Sequence, residues 1–312
     1  MKPVHNYKKN QPIVWFNGKK EKSNQYCLYC GAFVGKGSMV DSNKEHLIAR
    51  QFVPTGAFQD GSQFNFIFRA CEACNSNKSE LERHVSSITL YNSAHKQEKI
   101  EYVERAKSKA SRDFHPSKPG VLVKDASDKH AFQFNFGPMA VKVEAISPPQ
   151  VSQDYTKALS FYHIQGLFSL ITSQNPNCAE GTNLLPEANF WYHGAYGHGD
   201  WGNAELIELA KRAEKLKCCA NINTADSHFK AVLSRTVEMP GYWFWALEWN
   251  KHIRVVGGIY RQDECPPIFE NLPSQNWKSL GKGIDGAEYR IREETPFAEG
   301  DDVLFSYSVY TE

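Results

Sequence analysis

The chain has 312 residues and a net charge of +1, and 41% of its residues are hydrophobic. This composition excludes an intrinsically disordered chain, and a near-neutral charge excludes a protein that binds nucleic acid through bulk attraction alone. No apolar run approaches the roughly 20 residues that cross a bilayer, and the basic N-terminus lacks the apolar segment of a signal peptide. We therefore expect a cytoplasmic protein with no membrane partner, and the length favours two domains over one.

Basic residues are concentrated in the first part of the chain. Residues 1–30 contain six lysines and one glutamate, and residues 96–112 contain six basic and three acidic residues. Clustered basic residues are expected of a phosphate-binding surface, and a solvated run of lysines is the equally weighted alternative.

The first predicted elements surround two cysteine pairs. The sequence "YCLYCG" (26–31) is typical of a zinc knuckle, with a glycine that permits the tight turn. A first strand is predicted to end near Leu47–Ile48, and alternating aromatic residues predict a second strand over 62–71. Small polar residues followed by glutamates indicate a helix that starts just after Cys74, and helical character is predicted to continue through 96–114.

The break "FHPSKPG" (114–120) is the predicted linker. It divides the chain into a domain over 1–115, with a basic N-terminal arm and a helical extension, and an accessory domain over 116–312. The second domain is predicted to contain two strands around Gly137–Pro138, a buried helix over 154–174, an amphipathic helix over 203–218, a hairpin over 242–261 that turns near Asn250–Lys251, and strands over 289–294 and 302–310. The predicted fold class is therefore α+β.

Four of the eight cysteines form two Cys-x-x-Cys pairs, and these are Cys27, Cys30, Cys71 and Cys74. In a chain without a secretory signal, two such pairs predict one zinc site, because Zn²⁺ takes four tetrahedral ligands. A closed site of four cysteines leaves no position for a substrate, so this zinc would stabilise the fold. The alternative is four buried free thiols.

The segments between and after the pairs carry a further pattern: "EHLI" at 45–48, "FNF" at 64–66 and "CNSNK" at 74–78. This order resembles the HNH endonuclease family, which are ββα-metal nucleases with a treble-clef zinc knuckle. The family pattern is Cys-x-x-Cys, an acidic residue and a histidine before apolar residues, a central asparagine, and Cys-x-x-Cys followed by Asn or His and then Lys. The resemblance covers residues 26 to about 85 and implies an N-terminal domain of that fold, followed by a larger α+β domain.

The resemblance implies a role for five residues. His46 is the expected general base that takes a proton from the attacking water, and Glu45 and Asn75 are the expected ligands of a catalytic Mg²⁺ or Mn²⁺. Asn65 is expected to orient the histidine, and Lys78 is expected to contact a phosphate. The chemistry agrees, since an imidazole titrates near neutrality and oxygen ligands suit a hard cation. A structural role for the histidine at a strand end is the alternative.

Other residues carry weaker predictions. Arg50 and Arg69 are candidate phosphate clamps, with a rim salt bridge as the equally weighted alternative. His84 is interpreted as a surface histidine of the helix, and the alternative is a residue that contacts the active site or the phosphate. The aromatic segment 189–202 is interpreted as an irregular packed loop, with base stacking as the alternative. Three tryptophans at alternating positions, Trp243, Trp245 and Trp249, share one strand face, which is more often a core than an aromatic cage.

Together these patterns predict a metal-dependent DNA endonuclease of the HNH type with a structural Zn²⁺. Its partner is DNA, and a second copy of the chain or a protein of a defence system is a further expected partner. Restriction and defence against phage are the biological settings that the resemblance suggests. The alternatives are a non-catalytic zinc-knuckle module that binds nucleic acid or protein, and a nuclease controlled by a C-terminal domain that senses a modified base or a nucleotide.

Overall fold

The computed structural model describes residues 5–6, 23–58, 65–97, 99–172, 184–198, 202–237, 241–261, 264–282, 286–295 and 301–306. The described residues combine helices and sheets, which confirms the α+β class. None of the helices in these ranges is long and apolar enough to cross a membrane.

The first part of the chain forms a small ββα unit, which we define as residues 42–93. Strands β2 (Ser42–His46) and β3 (Ile67–Cys71) pair antiparallel, and helix α1 (Glu72–Ser93) follows directly. The strand β2 ends slightly earlier than predicted, although Leu47 N still donates to Phe66 O at 2.9 Å. Residues 62–64 of the predicted second strand lie outside the described residues. Helix α2 (Ile100–Ala110) is a separate helix after a short 3₁₀ turn (Ala94–Lys96), and it is shorter than the predicted helical extension.

An exposed hairpin precedes the longest buried helix. Strands β4 (Asp128–Phe136) and β5 (Met139–Ser147) form the hairpin around Gly137, as the sequence predicted, and φ at this glycine is +61°. Helix α3 (Gln153–Thr172) then runs through the interior, in agreement with its apolar sequence.

A six-stranded sheet dominates the rest of the chain. Its strands are β1 (His5–Asn6), β6 (Phe190–Gly197), β7 (Lys217–Thr224), β8 (Phe229–Arg235), β9 (Trp243–Trp249) and β10 (Ile253–Ile259), with helix α4 (Ala204–Glu214) between β6 and β7. Their spatial order in the sheet is β1-β7-β8-β9-β10-β6. The β9–β10 hairpin turns at Asn250 and Lys251, where the sequence placed it. Strands β11 (Trp277–Lys282) and β12 (Glu288–Arg292) form a further hairpin.

Two predictions for this region differ from the structure. The segment predicted as an irregular packed loop or base-stacking loop is mostly strand β6, which pairs with β10; only residues 199–201 of it lie outside the described residues. The strand predicted over 302–310 is wrong for residues 302–306, which are irregular with a turn at 304–305, and residues 307–310 lie outside the described residues. In both cases tertiary pairing decides the conformation, because apolar alternation alone does not say which segments find a neighbouring strand.

The sheet is covered by different layers on its two faces because side chains alternate along each strand. Trp245 and Trp249 face one side and Phe244 faces the other, and all three are fully buried. The first side packs on α3 and on the ββα unit, and α4 covers the second. The tryptophans therefore belong to a core face, as predicted. One apolar cluster includes residues from both sides of position 115, and the division at that position stays a prediction.

Candidate metal centre and active site

The four paired cysteines come together at one point. Cys27 and Cys30 lie in the turn before β2, Cys71 ends β3 and Cys74 lies in the first turn of α1, and their sulfur atoms are within 4.8 Å of one another. The Sγ atoms of Cys30 and Cys71 are 3.7 Å apart. Four Zn–S bonds of about 2.3 Å in a tetrahedron place neighbouring sulfurs about 3.8 Å apart. The cluster can therefore hold a metal ion such as zinc, at the four cysteines that the sequence predicted.

The backbone around the first pair explains this arrangement. Gly31 has φ +73°, a conformation that favours glycine, and its N–H donates to Cys27 O at 2.9 Å. The Cys74 thiol donates a hydrogen bond to the Cys27 sulfur, and together with backbone amides this lowers the pKa of Cys27 to about 5. The same bond, together with burial, raises the pKa of Cys74. Negative charge is therefore stabilised on Cys27, and the thiolate is the form of cysteine that binds metal.

His46 lies at the end of β2 beside a cleft of about 300 Å³. The cleft is also lined by Asn75, Arg50 and Arg83. The Nε2 atom of His46 is buried and has no hydrogen-bond partner among the described residues. Burial, followed by the charges of Lys44, Arg50 and Lys78, lowers the pKa of His46 to about 4. The imidazole is therefore neutral at pH 7 and able to accept a proton.

Asn75 faces the same cleft from the first turn of α1. Its Nδ2 atom donates to Oδ1 of Asn43 on β2, so the side chain is held across the start of the ββα unit. The structure thus brings His46 and Asn75 to one cavity, although 29 positions separate them along the chain.

Glu45 lies on the buried side of β2 and takes part in an ion pair. Its Oε1 atom accepts hydrogen bonds from Tyr29 Oη at 2.9 Å and contacts Lys78 Nζ at 2.8 Å. Burial raises the pKa of Glu45, and the positive charge of Lys78 opposes this shift. Glu45 also lines the cleft, and the described residues give its Oε2 atom no hydrogen-bond partner.

Lys78 is placed differently from the sequence-based assignment. Its side chain is 1% exposed, and Nζ contacts Glu45 and Glu82, each at 2.8 Å. It also donates to the backbone oxygen of His46 at 3.2 Å. Burial alone would lower the pKa of Lys78, but the two carboxylates outweigh it and raise that pKa. An ammonium group enclosed in this way cannot reach a phosphate in the cleft. Its hydrogen bond instead holds the backbone at His46 in place.

Two residues of this network were missed by sequence reasoning. Glu82 accepts a hydrogen bond from Ala49 N at 3.0 Å and lies 3.4 Å from Nε2 of His163, which is fully buried on α3. Glu82 follows Lys78 by four positions, and this spacing is a detectable signal because such pairs meet on one helix face. A histidine inside an apolar helix gives no comparable signal for His163.

Asn65 fixes the loop that follows His46. Its Nδ2 atom donates to Ile48 O at 2.6 Å, and its Oδ1 atom accepts from Ile48 N at 3.3 Å and from Phe66 N at 2.8 Å. All these bonds are buried. The side chain therefore ties the end of β2 to the start of β3.

The remaining candidates divide between the cleft and other surfaces. Arg50 is exposed and lines the cleft, whereas Arg69 is buried and donates to Ser42 Oγ at 3.4 Å. His84 packs edge-on against Tyr155 and is not among the residues that line the cleft.

Comparisons with known proteins yield no relative: no family model, no curated protein and no solved structure matches this chain.

Proposed function

We propose that this protein is a metal-dependent endonuclease of the HNH type that hydrolyses phosphodiester bonds of DNA. The observation that carries the proposal is the cleft that joins the imidazole of His46, the amide of Asn75 and the guanidinium groups of Arg50 and Arg83. Hydrolysis of a phosphodiester needs a base for the attacking water and positive charge at the phosphate, and both lie at this cleft.

The four-cysteine cluster supports the proposal as a structural zinc site. Its sulfur spacing fits a tetrahedral ion, and all four ligands come from protein, so no position remains for a substrate. A zinc ion here would fasten the turn at residues 27–30 to the junction between β3 and α1. That junction places Asn75, so the ion would set the position of the cleft without taking part in chemistry.

His46 is the proposed general base. Its imidazole is neutral at pH 7 and lines the cleft, where it would take a proton from water. A pKa of about 4 makes a weak base in the free protein. An anionic phosphate in the cleft would raise this pKa, because a nearby negative charge favours the protonated imidazole. Binding of the substrate would thus strengthen the base at the moment when it is needed.

A catalytic Mg²⁺ or Mn²⁺ would be held by the free Oε2 atom of Glu45, by the amide oxygen of Asn75 and by water. These are oxygen donors at one cleft, and such donors fit a hard cation. A bound ion would supply Lewis-acid stabilisation of charge at the phosphate. Lys78 beside Glu45 lowers the affinity of this site for a cation, and we therefore expect a weak site that also needs the substrate phosphate.

Lys78, Glu82 and Asn65 are proposed positioning residues. They contact the backbone at His46, Ala49 and Ile48 respectively, and so fix the strand end and the loop on which the base is mounted. Cytoplasmic location stays a prediction from the sequence. A role in restriction or phage defence, and a second copy or a defence protein as partner, stay predictions from the resemblance.

Plasmid nicking tests the proposal. Wild-type protein is expected to nick supercoiled DNA when Mg²⁺ or Mn²⁺ is added, and His46→Ala is expected to lose about 10²–10⁴ in rate, the usual contribution of a general base. His95→Ala, at an exposed histidine outside the cleft, is the matched control and should keep full activity. Zinc content should be equal in all three proteins.

Two results would contradict the proposal. Equal nicking by wild type and His46→Ala would remove His46 as the base. Wild-type protein that binds DNA but leaves it uncut under every metal condition would support the alternative of a non-catalytic zinc-knuckle module.

A further inference from the structure

A second concave surface adjoins the proposed active cleft. It has a volume of about 440 Å³ and is lined by the loop at 51–55, by α1 and by α2. Gln51 and Arg83 line both this surface and the cleft, so the two are continuous. We call it the basic groove.

The basic groove carries an excess of positive charge. Its cations are Arg83, Arg105, Lys109 and Arg112, and its acid is Asp113. That carboxylate is already bound, because Lys109 Nζ lies 3.2 Å from it and Ser87 donates a hydrogen bond to it. The three arginines form no ion pair with any carboxylate in the described part of the chain. Their charge is therefore available to a ligand.

The cations lie along α2 and the turn that follows it. Arg105 and Lys109 are four positions apart on one side of the helix, and Arg112 lies in the turn just after the helix ends at Ala110. The adjoining side of the helix buries Tyr102, Ala106 and Ala110. Arg105 and Arg112 are exposed, whereas Lys109 is partly buried and paired with Asp113. Seven residues at the helical rise span about 10 Å, and one strand of duplex DNA rises about 10 Å over three phosphates. Two exposed guanidinium groups at about this spacing match a short stretch of phosphate backbone.

We propose that the basic groove binds the sugar–phosphate backbone of DNA to one side of the bond that is cut. The inference rests on the proposed function for the identity of the substrate, and it adds the path of that substrate across α2, outside the segment that resembles the HNH family. The groove offers charges rather than a shaped pocket for bases. It therefore contributes affinity that does not depend on sequence, as phosphate contacts generally do.

The salt dependence of DNA binding tests this path. The protein is His46→Ala without added Mg²⁺ or Mn²⁺, so that no DNA is cut, and chelators are avoided because they would strip a structural zinc. A fluorescently labelled DNA duplex is titrated at several salt concentrations. Replacing both arginines (Arg105→Gln with Arg112→Gln) should flatten the slope of log K against log salt by about 1.8, since each lost phosphate contact contributes about 0.9.

A charge-matched control isolates the position of the charges from their number. Lys129→Gln with Lys142→Gln removes the same charge from the exposed β4–β5 hairpin, and neither lysine lines the groove. This pair should leave the slope unchanged. Arg105 and Arg112 are exposed, so their replacement should leave the fold intact, which a thermal melt checks.

The outcomes separate the groove from the catalytic proposal. An unchanged slope in the arginine pair, or an equal change in the lysine pair, would overturn the groove as the DNA path. A change on double-stranded RNA of the same sequence but not on DNA would overturn DNA as the ligand. A failure of plasmid nicking would count against the nuclease while leaving the binding result, which needs no chemistry, to decide the groove.

Discussion

The ββα unit and the six-stranded sheet each bury a cation between carboxylates, but they depend on it to different degrees. Lys78 lies 2.8 Å from both Glu45 and Glu82, and among the described residues no other lysine or arginine forms an ion pair with them. In the sheet, Arg254 lies 2.6 Å from Glu248. A second cation also contacts Glu248, so that carboxylate would keep one cation if Arg254 were replaced.

The sheet is stabilised both by this second cation and by buried apolar area. Lys230 is the second cation, at 2.9 Å from Glu248, and Asp302, the other partner of Arg254, is partly exposed to solvent. Apolar clusters cover both faces of this sheet. The ββα unit contributes Phe52, Phe66 and Phe68 to one of them, and a cysteine cluster and the Lys78–Glu45 ion pair also join its strands to its helix. The region proposed to carry the chemistry therefore adds specific polar contacts to the apolar area that it shares with the sheet.

The largest expected effect comes from the cysteine cluster. Cys71→Ser should remove the metal and unfold the ββα unit, because zinc binding supplies about 10–16 kcal/mol in zinc-finger peptides and this is folding free energy. Hydrogen–deuterium exchange should show lost protection in residues 65–93 and smaller changes in β8, β9 and β10. Zinc analysis should find well below one ion per chain.

Cys265→Ser is the control for that experiment, since this thiol lies outside the cluster and is only partly buried. Its zinc content and exchange should match the wild type. Equal loss of protection in the sheet and in the ββα unit of Cys71→Ser would mean that the two regions unfold as one, and the contrast drawn above would be wrong.

The next effect compares the two buried cations directly. Lys78→Met should lower the free energy of unfolding by about 3–5 kcal/mol, because two buried carboxylates lose their cation. Arg254→Met should cost less, since Lys230 still neutralises Glu248. Urea titrations of both variants measure the difference. A larger loss in Arg254→Met would show that the sheet, and not the ββα unit, depends on its ion pair.

The double variant Lys78→Met with Glu45→Gln tests whether the loss of stability comes from unpaired charge. Glu45→Gln removes one of the two buried carboxylates that have lost their cation, and it should recover part of the lost stability. No recovery would mean that the damage comes from lost packing of the lysine side chain. Plasmid nicking should stay low in either variant, because the contact from Lys78 to the backbone at His46 is absent.

The sequence predicted the ββα unit better than the sheet, and the reason is physical. Ligand spacing and the Glu45–His46 pair fix a local arrangement that needs few distant contacts. The same reasoning assigned Lys78 to a phosphate, because a helix position does not reveal that Glu45 arrives from another strand to bury the ammonium group. His163 lies 81 positions after Glu82, and no local pattern links them.

In the sheet, the sequence predicted the β9–β10 hairpin but assigned no strand to β7 or β8. The alternating tryptophans predicted one buried face, and the hairpin at Asn250 follows from the turn residues. The order of strands depends on which edges meet after the chain has crossed α3 and α4. That β6 pairs with β10 across more than 50 residues is a tertiary result, which explains why an aromatic segment was interpreted as a loop.

A smaller effect is expected where the two regions touch. Asn250 turns the β9–β10 hairpin, and its Nδ2 atom donates to Phe52 O and to Thr89 Oγ1, each at 2.9 Å. Asn250→Gly keeps the positive φ but loses both bonds, which should cost about 2 kcal/mol. The loop at Phe52 also lines the cleft, so nicking should fall as well.

Lys251→Gly is the matched control, because Lys251 has nearly the same backbone conformation, φ +53° against +54° at Asn250. It should be neutral or slightly stabilising, since glycine adopts positive φ without strain. Equal stability and nicking in both variants would mean that the sheet supports the ββα unit through apolar packing alone.

The smallest expected effect is the pH dependence of stability that arises from His228. His228, in the turn between β7 and β8, is fully buried, and neither ring nitrogen has a hydrogen-bond partner among the described residues. Burial, with a minor part from Lys251, lowers the pKa of His228 to about 3. Between that value and the unfolded value near 6.5, the unfolded chain binds more protons, so the free energy of unfolding falls as the pH falls through this window.

Replacing this histidine separates a structural imidazole from the proposed catalytic one. His228→Phe should reduce the loss of stability between pH 6.5 and 5.5 by about 1 kcal/mol, as measured by urea titration at both pH values, while His95→Phe at an exposed site should not. Nicking at pH 7 should be unchanged, because His228 has no access to solvent. His46 has a similarly lowered pKa but is half-buried at a cleft. A loss of nicking in His228→Phe would therefore argue that a lowered pKa, and not contact with the cleft, marks the residues that this protein needs for its activity.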